Sequence, residues 1–310
     1  MENNLQQLHN KFITECQYSN CLRTETIRNH SNTFKLFKLL MPEIVTTRDL
    51  IPDSLDEFFK RLQTRIRKLN NGETRVGVKI TTVKTYWAKL HTFFEWLVNN
   101  KYIEESPLKN KKSPRVRYDD IKRLSDEDVR RIISSIVQNG NSSFEYCRDM
   151  FMINLFLLTG MRRTEFISLR LTDLDLSKRT VTIRGETSKS KFTRVLQINS
   201  SLFMFLNNYL SERKKKGYKT DSLIVSTKKD SGLTIDGLKH WTERVKEMSG
   251  VKFHVHMFRH TFACKLVEAN VSIYKIKELM GHTDIRMTVK YLRSLNTEDM
   301  GEDLEKISFS

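Results

Sequence analysis

Residues 256–291 begin His256-Met257-Phe258-Arg259-His260, pass through Gly281-His282-Thr283 and end on Tyr291. Upstream, Thr159-Gly160-Met161-Arg162-Arg163-Thr164-Glu165 supplies a further arginine in a similar setting. An arginine fork binds two phosphate oxygens at once and stays charged. An imidazole donates or shuttles a proton near neutral pH. Arg162, Arg259, His256 and His282 therefore form a phosphate-binding set, and Tyr291 places a phenol beside it that can act as a nucleophile.

Working outward, the sequence around these boxes is helical. Val83, Tyr86, Trp87, Leu90, Phe93, Phe94 and Leu97 recur at i, i+3, i+4, i+7 over residues 80 to 100, which lays one apolar stripe along a core helix. Leu5 to Cys16, Thr24 to Leu40 and Ser54 to Leu69 carry similar spacing, so residues 1–105 read as a bundle of four helices. None of the four prolines interrupts them. Residues 106–122 hold Pro107 and Pro114 amid dense Lys and Arg and read as a basic interdomain linker. The second domain, 123–310, opens on Ser125-Asp126-Glu127-Asp128, an N-cap followed by acids where the helix dipole favours them. Thr180 to Arg184 and Arg194 to Ile198 alternate as strands do, around a polar loop that carries Lys189 and Lys191. Leu223 to Ser226 offers a third strand. Helices are expected near 201–215, 235–249, 257–269, 272–280 and 284–294, so the fold class is mainly α with a small antiparallel β-sheet.

Composition narrows the partners. Lys and Arg outnumber Asp and Glu by 54 to 37 in 310 residues, a formal charge of +17, which favours a polyanion such as nucleic acid. Cys16, Cys21, Cys147 and Cys264 form no CxxC pair, which points away from a zinc module or disulfide framework and toward a reducing, cytoplasmic compartment. Met150 to Leu158, the most apolar stretch, is too short for a membrane span of ~20 residues, and the N-terminus lacks a signal-peptide pattern. His254, His256, His260 and His282 could suggest zinc. No His-Glu-x-x-His, interposed carboxylate or Cys pair completes such a site, however. No metal is expected.

The order of the boxes resembles the tyrosine recombinases, the phage integrase and Xer family of site-specific DNA recombinases. Their first box reads roughly Thr-Gly-x-Arg-x-x-Glu, the second His-x-x-Arg-His, and the third Leu-Gly-His with a Tyr nine residues later. This chain matches each in order. The resemblance covers the region after about residue 122 and, more weakly, the helices before it. It implies a SAM-like core-type DNA-binding domain over 1–105 and a catalytic domain over 123–310.

The resemblance also implies roles. Tyr291 would be the nucleophile, forming a 3′-phosphotyrosyl ester that stores the energy of the broken bond, so neither ATP nor any other cofactor is needed. Arg162 and Arg259 would clamp the phosphate, with His256 and His282 as hydrogen-bond donors or proton shuttles. Lys189, five residues before Arg194, matches the general acid that protonates the departing 5′-oxygen, and Lys191 is its rival. Glu165 and His260 would support, while His254 matches no family position. Taken alone, an Arg-x-x-Glu is usually a surface ion pair and a tyrosine usually packs in a core; spacing across the boxes favours the catalytic reading, and Tyr274 has no such context. Arg163, Lys79, Lys84 and Lys89 would contact the DNA backbone.

Double-stranded DNA sites would be the partner, with four protomers forming a synaptic tetramer and exchanging strands through a Holliday junction. A second recombinase or accessory factor is compatible with this. The chain begins almost at once with the core-binding helices, as Xer proteins or simple mobile-element integrases do. Met300, Leu304 and Ile307 suggest a tail helix that docks on a neighbour. Met161, Phe258, Met280 and Gln197 depart from common family letters at packing or strand positions only. Two alternatives remain: a type IB topoisomerase-like enzyme, which religates the same strand, and a non-catalytic DNA-binding regulator.

Overall fold

A computed structural model describes residues 3–69, 72–116, 122–140 and 142–294. The chain divides into two compact units, Met1–Tyr118 and Asp119–Ser310. The tail that carries Met300, Leu304 and Ile307 lies outside the described residues.

The first unit contains α1 (Leu5–Tyr18), α2 (Thr24–Leu40), α3 (Pro52–Thr64) and α4 (Ile80–Asn99). The Asn4 side chain caps α1 by accepting from the amides of Gln6 and Gln7. Pro52 starts α3, where its missing N–H costs nothing. The stripe on α4 buries Val83, Leu90, Phe93, Phe94 and Leu97 against Phe12, Phe34, Phe37 and Phe58 of the other helices.

Two differences from the sequence reading stand out. The helix expected from Ser54 to Leu69 stops at Thr64, and an antiparallel hairpin of β1 (Ile66–Lys68) and β2 (Thr74–Val76) follows it. Gly77 closes that hairpin at φ +66° with its Cβ position 2.1 Å from the Gln63 carbonyl oxygen, so no other residue fits. The segment read as linker also starts inside this unit. Leu108 is buried in the core, and Lys111 pairs with Asp56 at 2.5 Å.

The second unit is built around α6 (Ser143–Thr159), which is buried on nearly every side from Met150 to Phe156 and packs on α8 (Ser200–Lys215) and α10 (Val255–Glu268). α5 (Asp126–Asn139) is capped by Ser125 and lies on α9 (Ile235–Ser249). The short α7 (Arg163–Ile167), α11 (Ile273–Met280), α12 (Arg286–Val289) and a 3-10 turn at Lys290–Ser294 surround the site described below.

The sheet has the order β3 (Leu174–Asp175), β4 (Thr180–Ile183), β5 (Arg194–Gln197), all antiparallel, with Val181 opposite Leu196. Leu223 to Ser226 is not its third strand. Leu223, Ile224 and Val225 are buried, but their backbone groups are satisfied elsewhere. The Leu223 amide donates to the Leu169 carbonyl at 2.8 Å, and the Tyr209 hydroxyl donates to the Leu223 carbonyl at 2.8 Å. A buried apolar run needs partners for its amides, and a ladder is only one way to supply them.

Candidate active site

The sequence boxes meet in a cavity of about 600 Å³ in the second unit, lined by Arg162, Lys189, His256, Arg259, His282 and Tyr291 among others. Two helix ends build it. α6 ends at Gly160 in the left-handed conformation (φ +56°), and α11 ends likewise at Gly281 (φ +60°). A Cβ on Gly160 would lie 2.3 Å from the Phe262 ring, and one on Gly281 would lie 2.7 Å from Arg194 Nη1. Each glycine offers its carbonyl to the arginine of another box: Arg259 Nη1 donates to Gly160 O at 2.6 Å, and Arg162 Nη2 donates to Gly281 O at 2.9 Å.

Arg162 precedes α7, where its amide donates to Glu165 Oε2 and its Nη1 to Glu165 Oε1, both at 2.9 Å. Glu165 is fully buried and also accepts from Arg194 Nη2 at 2.7 Å, Arg194 Nη1 at 3.2 Å and the Ser188 hydroxyl at 2.7 Å. Burial alone would raise its carboxyl. The hydrogen bond and charge of Arg194, then the Arg162 amide and Ser188, outweigh that and bring it down to about 2. Glu165 thus stays an anion that anchors two guanidinium groups.

Arg259 is nearly fully buried on α10 and donates from Nη2 to Met280 O at 2.6 Å and to His282 Nε2 at 2.9 Å. Burial and then the charge of Arg162 lower it to about 9, which leaves it cationic at neutral pH. Since the guanidinium only donates, His282 Nε2 accepts. Its proton then sits on Nδ1 and is donated to Thr288 Oγ1 at 2.8 Å. Burial, followed by Arg259, lowers His282 to about 3.

Tyr291 is buried, and its hydroxyl lies 3.0 Å from His260 Nδ1. Burial, with Arg259 pulling the other way, pushes the phenol up to about 12. Burial and then the nearby His256 hold His260 down to about 3, so it is neutral and able to accept the phenolic hydrogen. The His256 ring packs edge-on against His260 with centroids 4.4 Å apart, and burial followed by Arg259 lowers it to about 4.

Lys189 is exposed on the β4–β5 loop and lines the cavity; Lys191, at φ +61°, is not part of the lining. Arg163 and His254 sit on the exposed part of the wall. Lys79, Lys84 and Lys89 belong to the first unit. Lys79 is exposed, whereas the Lys89 ammonium lies 3.3 Å from Nε2 of the buried His30.

Sequence reasoning missed several contributors. Arg194 entered only as a spacing marker, yet it is the strongest partner of Glu165 and also donates to Leu279 O at 3.1 Å. Ser188 and Thr288 are buried hydroxyls that hold Glu165 and His282. Lys290 lines the cavity with its ammonium 5.0 Å from the Tyr291 ring centroid, and burial followed by Arg259 lowers it. For Lys290, adjacency to Tyr291 was an available signal; for the hydroxyls no sequence pattern exists.

Phosphate-binding groups around a phenol suit strand cleavage, and comparison with known proteins agrees. The phage integrase family profile matches residues 122–298, more than half of the chain. The chain belongs to the phage integrase family of tyrosine recombinases. It is 26% identical over 261 residues to a tyrosine recombinase of Pseudothermotoga lettingae, covering 84% of this chain and 83% of that one. It is 28% identical over 221 residues to the tyrosine recombinase XerD of Listeria monocytogenes, covering 69% and 72%. In fold it matches the Tn1549 transposon integrase, solved with a circular-intermediate DNA, with a TM-score of 0.79 at 16% identity, covering 99% and 100% of the two chains. This recombinase therefore acts on DNA as a site-specific strand-exchange enzyme. Among its described residues, no helix is long and apolar enough to cross a membrane, and no cluster of three His, Cys, Asp or Glu side chains could hold a metal.

Proposed function

We propose that Tyr291 attacks a DNA phosphodiester held by Arg162 and Arg259, with His282 holding the Arg259 guanidinium in place. The Tyr291 Oη–P bond forms as the phenolic proton passes to His260 Nδ1 and the P–O5′ bond breaks, leaving a 3′-phosphotyrosine. The electron pair leaves with the 5′-oxygen, which takes a proton from the Lys189 ammonium. Arg162 and Arg259 carry more N–H donors than their protein partners use, so both can also donate to the phosphate oxygens as charge builds there. The supporting observation is Tyr291, which shares the cavity wall with both arginines and Lys189 and whose hydroxyl lies 3.0 Å from Nδ1 of a neutral His260 behind it.

The four helices of the first unit form a core-type DNA-binding domain, and Lys79, Lys84 and Arg163 contact phosphates. Four protomers join two sites in a synaptic tetramer, with strand exchange through a Holliday junction. We place the enzyme in the cytoplasm, where its DNA lies, and take its DNA to be the site of a chromosome or a mobile element, with or without an accessory factor.

A nicked suicide duplex carrying the DNA that flanks the gene tests this reading. Wild-type protein should form a denaturant-resistant adduct without metal or ATP, and Tyr291→Phe should not. An adduct that survives in Tyr291→Phe removes Tyr291 as nucleophile. Binding without any adduct favours a non-catalytic regulator, and relaxation of supercoils without a specific site favours a topoisomerase.

A further inference from the structure

The loop between β4 and β5 is more firmly built than a surface turn requires. Ser188 is fully buried, whereas its neighbour Lys189 is exposed to the cavity. The Ser188 hydroxyl donates to Glu165 Oε1 at 2.7 Å, and the Ser188 and Ser190 hydroxyls lie 2.9 Å apart. The Ser188 amide donates to the carbonyls of Arg184 and Gly185, and the Lys191 amide donates back to Ser188 O. The Gly185 amide donates to Thr193 Oγ1 at 3.0 Å across the loop. A Cβ on Gly185 would lie 2.5 Å from the Lys191 carbonyl oxygen, so the two sides of the loop touch.

A lysine places its ammonium at the end of a flexible four-carbon stem. Where that ammonium can reach depends on where its Cα is held, and Ser188 holds the Cα next door. The carboxylate that Ser188 meets is the one that fixes Arg162 and Arg194. Glu165 therefore sets the phosphate clamp and the lysine loop from a single point.

We propose that Ser188 is a positioning residue for Lys189. Its hydroxyl ties the loop to Glu165 and so places the Lys189 ammonium at the leaving oxygen. The proposal rests on Lys189 being the proton donor. Glu165 keeps Arg162 and Arg194 when Ser188 is lost, so the clamp survives and the defect falls on the proton transfer alone.

That selectivity is measurable. A bridging 5′-oxygen leaves as an alkoxide and needs a proton, whereas a bridging 5′-sulfur leaves as a thiolate, stable without one because thiols ionise near ~8.5. Single-turnover cleavage of suicide duplexes with either atom at the scissile phosphate separates the two. Ser188→Ala should slow cleavage of the oxygen duplex about 10- to 100-fold through misplacement of the acid, with little effect on the sulfur duplex. Gly185→Ala, which displaces the loop without touching Glu165, should show the same selectivity and serves if the Ser188 variant does not fold. Lys189→Ala is the reference, with a larger loss on oxygen and little on sulfur.

Equal slowing on both duplexes in Ser188→Ala and Gly185→Ala, or slowing on neither, while Lys189→Ala stays selective, overturns the positioning role alone. Loss of selectivity in Lys189→Ala itself overturns Lys189 as the acid, and the proposal with it.

Discussion

Replacing Arg194 by Met keeps much of the side chain's length but removes its charge and donors. Glu165, fully buried, then loses the partner that donates from Nη2 at 2.7 Å and Nη1 at 3.2 Å, and Leu279 O loses its donor at 3.1 Å. Breaking a buried ion pair from one side costs roughly 3–5 kcal/mol, against the ~5–15 kcal/mol that keeps a domain folded. Proton linkage gives a second figure. The carboxyl ionises at about 2 in the folded chain against 4.5 unperturbed. Each pH unit of that gap is worth ~1.4 kcal/mol, so the contacts of Glu165 contribute about 3 kcal/mol at neutral pH. A carboxylate held below its unfolded value stabilises the fold above about 4.5 and loses that contribution as pH falls toward 2. Arg194→Met should therefore lower the melting temperature by roughly 6–20 °C at pH 7, read by calorimetry. The gap to wild type should narrow in acid. Adding Glu165→Gln removes the stranded charge, so the double variant should lose less than the two singles together by about 2 kcal/mol. Single-variant losses that add to within ~0.5 kcal/mol, or a gap that does not change with pH, would refute the account of Glu165 as a shared buried anchor.

Gly160→Ala forces a left-handed alanine at a cost of roughly 1–3 kcal/mol and drives its Cβ into Phe262, shifting the carbonyl that holds Arg259. Adduct formation should fall while DNA binding persists, and a variant that cleaves normally would show that this carbonyl does not matter. Lys189→Ala should lose about 10²-fold or more in cleavage of ordinary DNA, and Lys191→Ala much less, because only Lys189 lines the cavity; quenched-flow rates of equal size in both variants would contradict this. In the first unit, burial lowers His9 to about 4, with His30 adding to the effect, and burial followed by Lys89 lowers His30 to about 4. The unfolded chain binds protons at these imidazoles below ~6.5 while the folded chain does not, so stability should fall as pH drops from about 6.5 toward 4, by about 3 kcal/mol for each imidazole. His30→Gln should flatten that dependence in chemical denaturation, and an unchanged slope would rule out His30 as its source.

The residues of the candidate site were legible because the proposed chemistry depends on residue types at fixed spacings. Arg162, Arg259, His282 and Tyr291 could be named from their boxes, and the structure gathers them in one cavity. Even the box glycines have a physical reason, since each ends a helix at positive φ and turns a carbonyl toward a distant arginine. What stayed hidden depends on contacts far apart in sequence. Arg194 alternates like any strand residue, and nothing local says that its side chain turns in to Glu165. Leu223 to Ser226 has the apolar content of a strand, but the Tyr209 hydroxyl and Leu169 carbonyl answer its backbone. Lys189 lines the cavity while Lys191, at φ +61°, does not, a difference that no local pattern gives. The hairpin after α3 turned on Gly77 fitting beneath Gln63.

The cavity walls carry seven lysines and arginines against a single carboxylate, Glu243, among the described lining residues. That imbalance, added to burial, keeps His256, His260 and His282 neutral in the free protein. A phosphodiester brings the missing negative charge. It favours the protonated imidazoles, and it disfavours a phenolate beside it. Burial already disfavours that phenolate by lifting Tyr291 to about 12. A phenolate formed in advance is thus opposed by both burial and substrate, while a proton acceptor becomes stronger as the phosphate arrives. The Tyr291 proton is therefore best lost as the bond to phosphorus forms, with His260, 3.0 Å away, placed to receive it. On the mechanism we propose, the substrate's own charge readies the site, and an enzyme that has not bound DNA keeps Tyr291 protonated.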